Sequence, residues 1–303
     1  MDGKVIIFGG SGYIGKQATI ACLEKGWNVI SVSRTGSQIR NTNLIDLVVD
    51  FVDFDYSKVS ENDCVIYCAG VAHNKYKNES AEYANNTLPV NVATQLKDKV
   101  KKFVFISSSN VLGIKRKNKF NPDSYDPIDS AAKLKMKTER ALLSIFENSK
   151  TLLSIIRCPM VYGKGAPGNI NMISKLARLP VPFASVKTTR TMLYSKNLTD
   201  LLTKVLEFDR PPKVLLVGDS QALPFNEMVA VISSSMGYKS KQFKLNIFFL
   251  RLLLTIIGKR ALANNLSNDF LIESSIKHDR FCWSPTFTHK QGLVESFNRE
   301  RER

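Results

Sequence analysis

Val5-Ile6-Ile7-Phe8-Gly9-Gly10-Ser11-Gly12-Tyr13-Ile14-Gly15 runs four apolar residues into three evenly spaced glycines. An unbroken apolar run suits a parallel strand buried on both faces. Glycines at 9, 12 and 15 then spell G-x-x-G-x-x-G between that strand and an amphipathic segment, the context a bound dinucleotide requires. Gly9 makes the tight turn, Gly12 lets the backbone approach a pyrophosphate, and Gly15 permits close packing of helix on strand. Tyr13 and Ile14 open the helix, whose first amides and dipole hold phosphate charge. The competing reading is a glycine-rich turn without a ligand.

Outward from this motif, Tyr13 to Lys25 reads as a helix stopped by Gly26. Further strands are expected at Asn28–Ser33, Cys64–Ala69, Phe103–Ser107, Leu152–Ile156 and Val214–Val217. Helices are expected around Ala81–Val100 and Lys133–Glu147. Strand–helix alternation of this kind predicts an α/β chain, a Rossmann-type doubly wound parallel sheet. After Arg157 the texture becomes loop-like, with Gly163, Gly165, Pro167, Gly168, Pro180 and Pro182 close together. The expected division is a dinucleotide-binding domain over 1–165 and a smaller C-terminal substrate lobe over 166–303 that returns some elements to the sheet. No internal repeat is evident.

The 303 residues carry 43 Lys and Arg against 27 Asp and Glu, a net charge of +16. Because the basic residues are spread along the chain, a solvated surface is the bland reading and attraction of an anionic substrate the sharper one. No aromatic-rich RNA motif or helix-turn-helix pattern accompanies the charge, so no nucleic-acid partner is expected. Cys64 and Cys68 have three residues between them and only His73 nearby, a poor match to zinc spacings, so no metal is expected. The five cysteines read as reduced thiols of a cytoplasmic protein, and Met1-Asp2-Gly3-Lys4 lacks the pattern of a secretory signal. Residues 245–258 are strongly apolar but too short, and too interrupted by Arg251, to span a bilayer. They read as a helix packed in the substrate lobe or, alternatively, as a helix lying on the inner membrane surface.

The end of the second strand separates the two forms of the cofactor. A carboxylate there would take an unphosphorylated adenosine ribose, but Ser31-Val32-Ser33-Arg34-Thr35 has none before Asp46. Arg34 offers a planar cation to a 2′-phosphate, which favours NADP(H), with NAD(H) retained as the alternative.

The glycine spacing and strand order, together with the segments that follow, resemble the extended short-chain dehydrogenase/reductase family, in its nucleotide-sugar epimerase, dehydratase and reductase branch. Tyr67-Cys68-Ala69-Gly70 matches the strand end that the family lays beside the nicotinamide ribose, with Ala69 and Gly70 as cofactor contacts. Asn86 matches a supporting helix position. Ile106-Ser107-Ser108-Ser109-Asn110-Val111-Leu112-Gly113 is similar to S-S-x-x-V-x-G. The resemblance implies that Ser108 bonds the reacting oxygen, with Ser109 and Asn110 beside the substrate. It also implies a Y-x-x-x-K pair, the tyrosine moving a proton and the lysine lowering its pKa. Lys135 aligns as that lysine, but position 131 is Ala131. Tyr125, ten residues before Lys135, cannot replace it through helix geometry. The favoured expectation is a Tyr→Ala substitution that traps bound substrate; a naturally disabled relative or another proton donor are the alternatives.

In the second half, Arg157-Cys158-Pro159-Met160-Val161-Tyr162-Gly163 is similar to the family's R-x-x-x-V-Y-G, implying that Pro159 and Val161 adjoin the nicotinamide and Tyr162 the substrate. Asn169 and Arg190 match diphosphate-binding positions, and Pro182-Phe183 resembles the strip around a uracil. Each of these could instead be structural. Leu179–Leu201, Gly258–Gly292 and Ala69–His73 look more narrowly like bacterial UDP-2-acetamido-2,6-dideoxy-4-hexulose 4-reductases, which make UDP-N-acetylquinovosamine for surface polysaccharide. The implied partner is a UDP-sugar, and the implied assembly a homodimer. The runner-up is an NAD-dependent C4 epimerase of a UDP-hexose or a lipid-linked sugar; a non-catalytic dinucleotide-binding regulator is the reading from another class.

Overall fold

A computed structural model describes residues 2–70, 79–113, 124–179, 183–239, 242–243, 255–256, 269–272 and 275–298. Six strands follow in chain order: β1 (Val5–Phe8), β2 (Val29–Ser33), β3 (Leu44–Val48), β4 (Cys64–Tyr67), β5 (Lys102–Ser108) and β6 (Leu152–Cys158). After the two-residue strands β7 (Val161–Tyr162), β8 (Phe183–Ala184) and β9 (Leu193–Tyr194) comes β10 (Val214–Leu216). β10 joins the first six in one sheet of order β10-β6-β5-β4-β1-β2-β3. Every pairing in it is parallel. The expected doubly wound sheet is therefore present. The order reverses between β1 and β4, opening a crevice at their carboxyl ends.

The apolar run of β1 is unbroken because both of its faces are covered. Val5 and Ile7 pack with Ala18 and Cys22 of α1 (Tyr13–Glu24) on one face, while Ile6 and Phe8 face the opposite side. That opposite side is roofed by Val92 and Leu96 of α3 (Leu88–Leu96) and by Leu142 of α4 (Ser130–Ile145). All four residues of β1 are fully buried, each burial worth roughly 1.5–3 kcal/mol. α1 ends where Gly26 adopts φ +73°, in the left-handed region.

Two regions depart from expectation. β3, absent from the sequence reading, is a half-buried edge strand whose apolar alternation is broken by Asp46. The helix expected from Ala81 to Val100 is interrupted: α2 (Glu79–Glu82) runs into a π-helical turn, Tyr83–Thr87, before α3 begins.

Beyond β6 the chain builds α5 (Asn169–Arg178), α6 (Ser195–Glu207), α7 (Phe225–Ser235) and α8 (His289–Phe297). Leu198, Leu201, Leu202 and Val205 of α6 lie on the sheet beside α1. α5, α7 and α8 surround a separate apolar cluster that includes Tyr162, Ile170, Tyr194, Ile232 and Leu293. Lys102, the first residue of β5, is buried and directs its ammonium to the carbonyls of Val205, Leu206 and Phe208 at 3.3, 2.6 and 2.5 Å. It thereby caps the carboxyl end of α6. Of the apolar stretch 245–258, all but 255–256 lies outside the described residues, as do Pro182 and Val71–His73. Among the described residues no helix is long and apolar enough to cross a membrane.

Candidate active site at the carboxyl edge of the sheet

The cradle for a dinucleotide is built by exclusion. A Cβ on Gly15 would lie 2.1 Å from the Gly9 carbonyl oxygen, and one on Gly9, at φ +93°, would lie 2.7 Å from the Ala69 nitrogen. The glycines thus bring α1 against β1 and β1 against β4. A Cβ on Gly12 would meet only the Gly9 oxygen, at 3.2 Å. Gly12 is also the N-cap of α1 and supplies no side-chain cap. The first-turn amides, Ile14's among them, are then the donor set that a pyrophosphate accepts. These residues fit a dinucleotide. Tyr13 faces the other way: its hydroxyl and that of Ser195 crowd the α-carbon of Gly163, so its ring belongs to the substrate half. Burial raises its pKa.

Arg34 is exposed just past β2, while the buried Ser33 hydroxyl has no partner among the described residues. Asp46 is not placed to replace a β2 carboxylate. Its Oδ2 accepts from the Ser37 amide at 2.6 Å and the Ser37 hydroxyl at 2.9 Å, fixing the loop that Arg34 begins.

β5 delivers Ser108 to the same edge. Ser108 caps a 3-10 turn (Ser109–Leu112), its oxygen accepting from the Asn110 amide at 3.2 Å. The Ser109 hydroxyl is buried without a partner among the described residues. Asp129 starts α4 by accepting from the Ala132 amide at 2.7 Å. Ala131, Lys135, Glu139 and Leu142 then recur at the spacing that shares one helix face. Lys135 donates to the Ile106 carbonyl at 3.1 Å and sits 4.5 Å from the Phe105 ring centre. Burial pushes its pKa down to about 8, against the opposing pull of Glu139 and then of Cys68 and Cys158. Ala131, one turn earlier and 4% exposed, presents only a methyl group on this face.

The two adjacent asparagines take different partners, and Asn85, not the expected Asn86, stands beside Gly70. Asn85 is buried, donates to the Ala81 carbonyl at 2.9 Å, and brings its oxygen within 2.7 Å of where a Gly70 Cβ would stand. Asn86 instead places its side-chain oxygen 3.2 Å from the Thr138 hydroxyl. The π-helical turn Tyr83–Thr87 inserts one residue and shifts the phase, and no local sequence signal marks it.

A buried polar knot that sequence reasoning missed lies beneath Lys135. Arg157 binds Glu139 through Nε (3.0 Å) and Nη2 (2.7 Å), both side chains being fully buried. The Ser107 hydroxyl donates to the same carboxylate. The Arg157 guanidinium also stacks 4.7 Å from the Tyr125 ring centre. Burial, together with the Glu139 charge, pushes Tyr125 up to about 12.

On the substrate side Tyr162 requires correction. Its side chain is fully buried, and its hydroxyl lies 2.7 Å from Asp219 and 3.0 Å from the His289 carbonyl, so it braces the fold instead of facing a substrate. Val161 pairs with Leu193, and Pro159 is half-buried past β6. Asn169 is exposed as the first residue of α5, after Gly168 at φ +83°. Arg190 is half-buried, 5.4 Å from the Phe270 ring centre, and burial lowers its pKa. Phe183 lies in β8. Among the described residues no cluster of His, Cys, Asp or Glu could hold a metal ion.

Comparison with known proteins agrees with this geometry. The chain is 24% identical over 315 residues to a UDP-glucose 4-epimerase of Vibrio cholerae, spanning 98% of this chain and 95% of that one. It is 23% identical to the N-acetyl-alpha-D-glucosaminyl-diphospho-ditrans,octacis-undecaprenol 4-epimerase of Escherichia coli O157:H7, spanning 98% and 92%. A solved UDP-N-acetylglucosamine 4-epimerase from Methanobrevibacter ruminantium, in complex with UDP-N-acetylmuramic acid, superposes with TM-score 0.75. That structure is 19% identical, and the match covers 98% of this chain and 97% of the other, a likeness of fold. A family model matches residues 5–218, and with it the glycine cradle, the Ser108 strand and the Lys135 helix: the chain belongs to the NAD dependent epimerase/dehydratase family.

Proposed function

We propose that the site carries out hydride chemistry at C4 of a UDP-linked hexose or N-acetylhexosamine, and that this chain binds its ligands but turns over slowly because of Ala131. The observation that carries the reading is Lys135 anchored at the sheet edge on the helix face that begins with Ala131. A pyridine dinucleotide in the glycine cradle supplies a hydride acceptor or donor. Ser108 bonds the C4 oxygen, and a tyrosine at 131 would carry the proton that enters or leaves that oxygen, with Lys135 stabilising its phenolate. Asn169 and Arg190 approach the diphosphate, the guanidinium matching two oxygens at once, and Pro182-Phe183 the uracil.

The 4-epimerase relatives favour oxidation and re-reduction at C4 with cofactor returned unchanged. Arg34 favours the second reading, a 4-reductase that consumes NADPH to make UDP-N-acetylquinovosamine or a similar sugar. Ala131→Tyr is the test. Turnover should rise on the order of 10²–10⁴-fold, the usual worth of positioned acid–base catalysis. Product formed with catalytic cofactor identifies an epimerase, and NAD(P)H consumed in proportion identifies a reductase. No gain with any UDP-sugar would leave a binding protein and overturn the proposal. A homodimer and contact of 245–258 with the inner membrane belong to the same proposal; sedimentation and salt-reversible vesicle binding test them.

A further inference from the structure

The turn that follows β2 is tied down to β3 by one carboxylate. In the parallel register Ser31 lies opposite Asp46 and Ser33 opposite Val48, so Asp46 stands two residues below the end of β2. From there its Oδ2 accepts from the Ser37 amide at 2.6 Å and the Ser37 hydroxyl at 2.9 Å. The same Ser37 oxygen accepts from the Ile39 amide at 3.2 Å, closing a small side-chain turn across Gln38. Gln38 holds φ +63°, a left-handed conformation that a residue with a Cβ keeps only where its surroundings enforce it. A Cβ on Gly36, itself at φ +71°, would stand 3.3 Å from Asp46 Oδ2 and 3.4 Å from the Val48 side chain. Gly36 and Ser37 are buried against β3 in this way, while Arg34 and Thr35 are exposed.

Both ends of this short span are pinned. Ser33 is held in the ladder, its carbonyl accepting from the Val49 amide at 3.1 Å, and only three residues separate it from Ser37. Asp46 gains little for the core in return. Its Oδ1 is buried without a partner among the described residues, an arrangement that costs stability. We propose that Asp46 is a positioning residue for cofactor selection: by clamping Ser37 to β3 it fixes the backbone that carries Arg34, and so favours a 2′-phosphorylated dinucleotide. The inference rests on the glycine cradle and the Arg34 reading of the proposed function. The clamp works through hydrogen bonds, which a carboxamide oxygen accepts as a carboxylate does. Released from it, Arg34 must be ordered when the phosphate binds, which weakens only the ligand that uses the guanidinium.

Calorimetric titration of the full chain with NAD and with NADP reads the ratio of the two affinities. Asp46→Ala should weaken NADP about three- to tenfold, the cost of ordering one long side chain, and leave NAD within about twofold. Asp46→Asn, whose carbonyl takes the same two bonds, should keep the parent ratio. Adding Asp46→Ala to Arg34→Ala should move the ratio no further, because both changes remove one interaction. If Asp46→Ala does not fold, Ser37→Ala removes one of the two bonds and should shift the ratio in the same direction by a smaller factor. An unchanged ratio in the variant that folds, or equal weakening of both dinucleotides, would overturn the inference and leave the proposed hydride chemistry standing. So would an Asp46→Asn shift as large as that of Asp46→Ala, or an effect that adds in full to Arg34→Ala. Binding of neither dinucleotide by the parent chain would overturn both.

Discussion

The two halves of the molecule each bury a carboxylate, and they satisfy it differently. In the sheet half Glu139 has a full cation, Arg157, at 2.7 Å. In the substrate half Asp219 has, among the described residues, only neutral donors: the Tyr162 hydroxyl at 2.7 Å, the Tyr194 amide at 2.9 Å and the Asn197 side chain at 2.8 Å. Burial pushes Asp219 up to about 6 against those bonds. The ionic knot pairs its carboxylate with a guanidinium and the Ser107 hydroxyl. The neutral knot can take up a proton, and it ties β7, β9, α6 and the start of α8 together without presenting a charge to the ligand crevice.

Breaking the ionic knot should cost most. Arg157→Met strands Glu139 and should destabilise the chain by about 3–5 kcal/mol in urea unfolding. Tyr162→Phe removes one neutral donor and should cost about 1–3 kcal/mol in the same assay. If the two losses were equal, the contrast between the halves would fail. Gly15→Ala lies outside both knots and directs a Cβ at the Gly9 carbonyl, so it should abolish dinucleotide binding by calorimetry.

Protonation sharpens the contrast further. Asp219 titrates near 6 when folded, above its unfolded value near 3.9, so its contribution to stability is lost as pH rises from about 4 to 6. His289, fully buried and accepting the Leu223 amide at Nδ1, is held down to about 4 by burial. Its contribution is lost in the other direction, as pH falls from 6.5 towards 4. The two slopes oppose each other over pH 4–6. Asp219→Asn should therefore lose unfolding temperature on acidification faster than the parent chain, and His289→Asn should lose less than the parent or gain. Parallel curves for all three proteins would refute the assignment. The smallest effect is expected at Arg34: Arg34→Ala should weaken a 2′-phosphorylated dinucleotide about tenfold, the worth of one exposed charge-assisted contact, and leave NAD unaffected.

What could be read from the chain follows the range of each interaction. β1, its glycines and α1 were legible because an apolar run, a spacing and a stop at Gly26 are all local signals. Short motifs on β5 and α4 were enough to single out Ser108 at the strand end and Ala131 and Lys135 one turn apart on the helix. Asn86 came from the family resemblance alone, and the π-helical turn that carries Asn85 toward Gly70 leaves no local pattern in the sequence. Tyr162 was read as a ligand contact from its motif, and its actual partner, Asp219, stands 57 residues away where no local pattern reaches. The Glu139 knot was illegible for the same reason: residues 107, 125, 139 and 157 meet only once the sheet order places β5 beside β6.

Lys102 gives the fold a clamp. The strand that ends in Ser108 begins with the ammonium that clasps the final carbonyls of α6, while the first residue of that helix, Ser195, brings its hydroxyl to Gly163 together with that of Tyr13. Strand and helix are struts of similar length, each roughly 20 Å, and Leu198, Leu201, Leu202 and Val205 share one buried cluster with Val104 and Ile106 of the strand. A lysine far from the chemistry therefore sets the register between the strand that delivers Ser108 and the helix behind it.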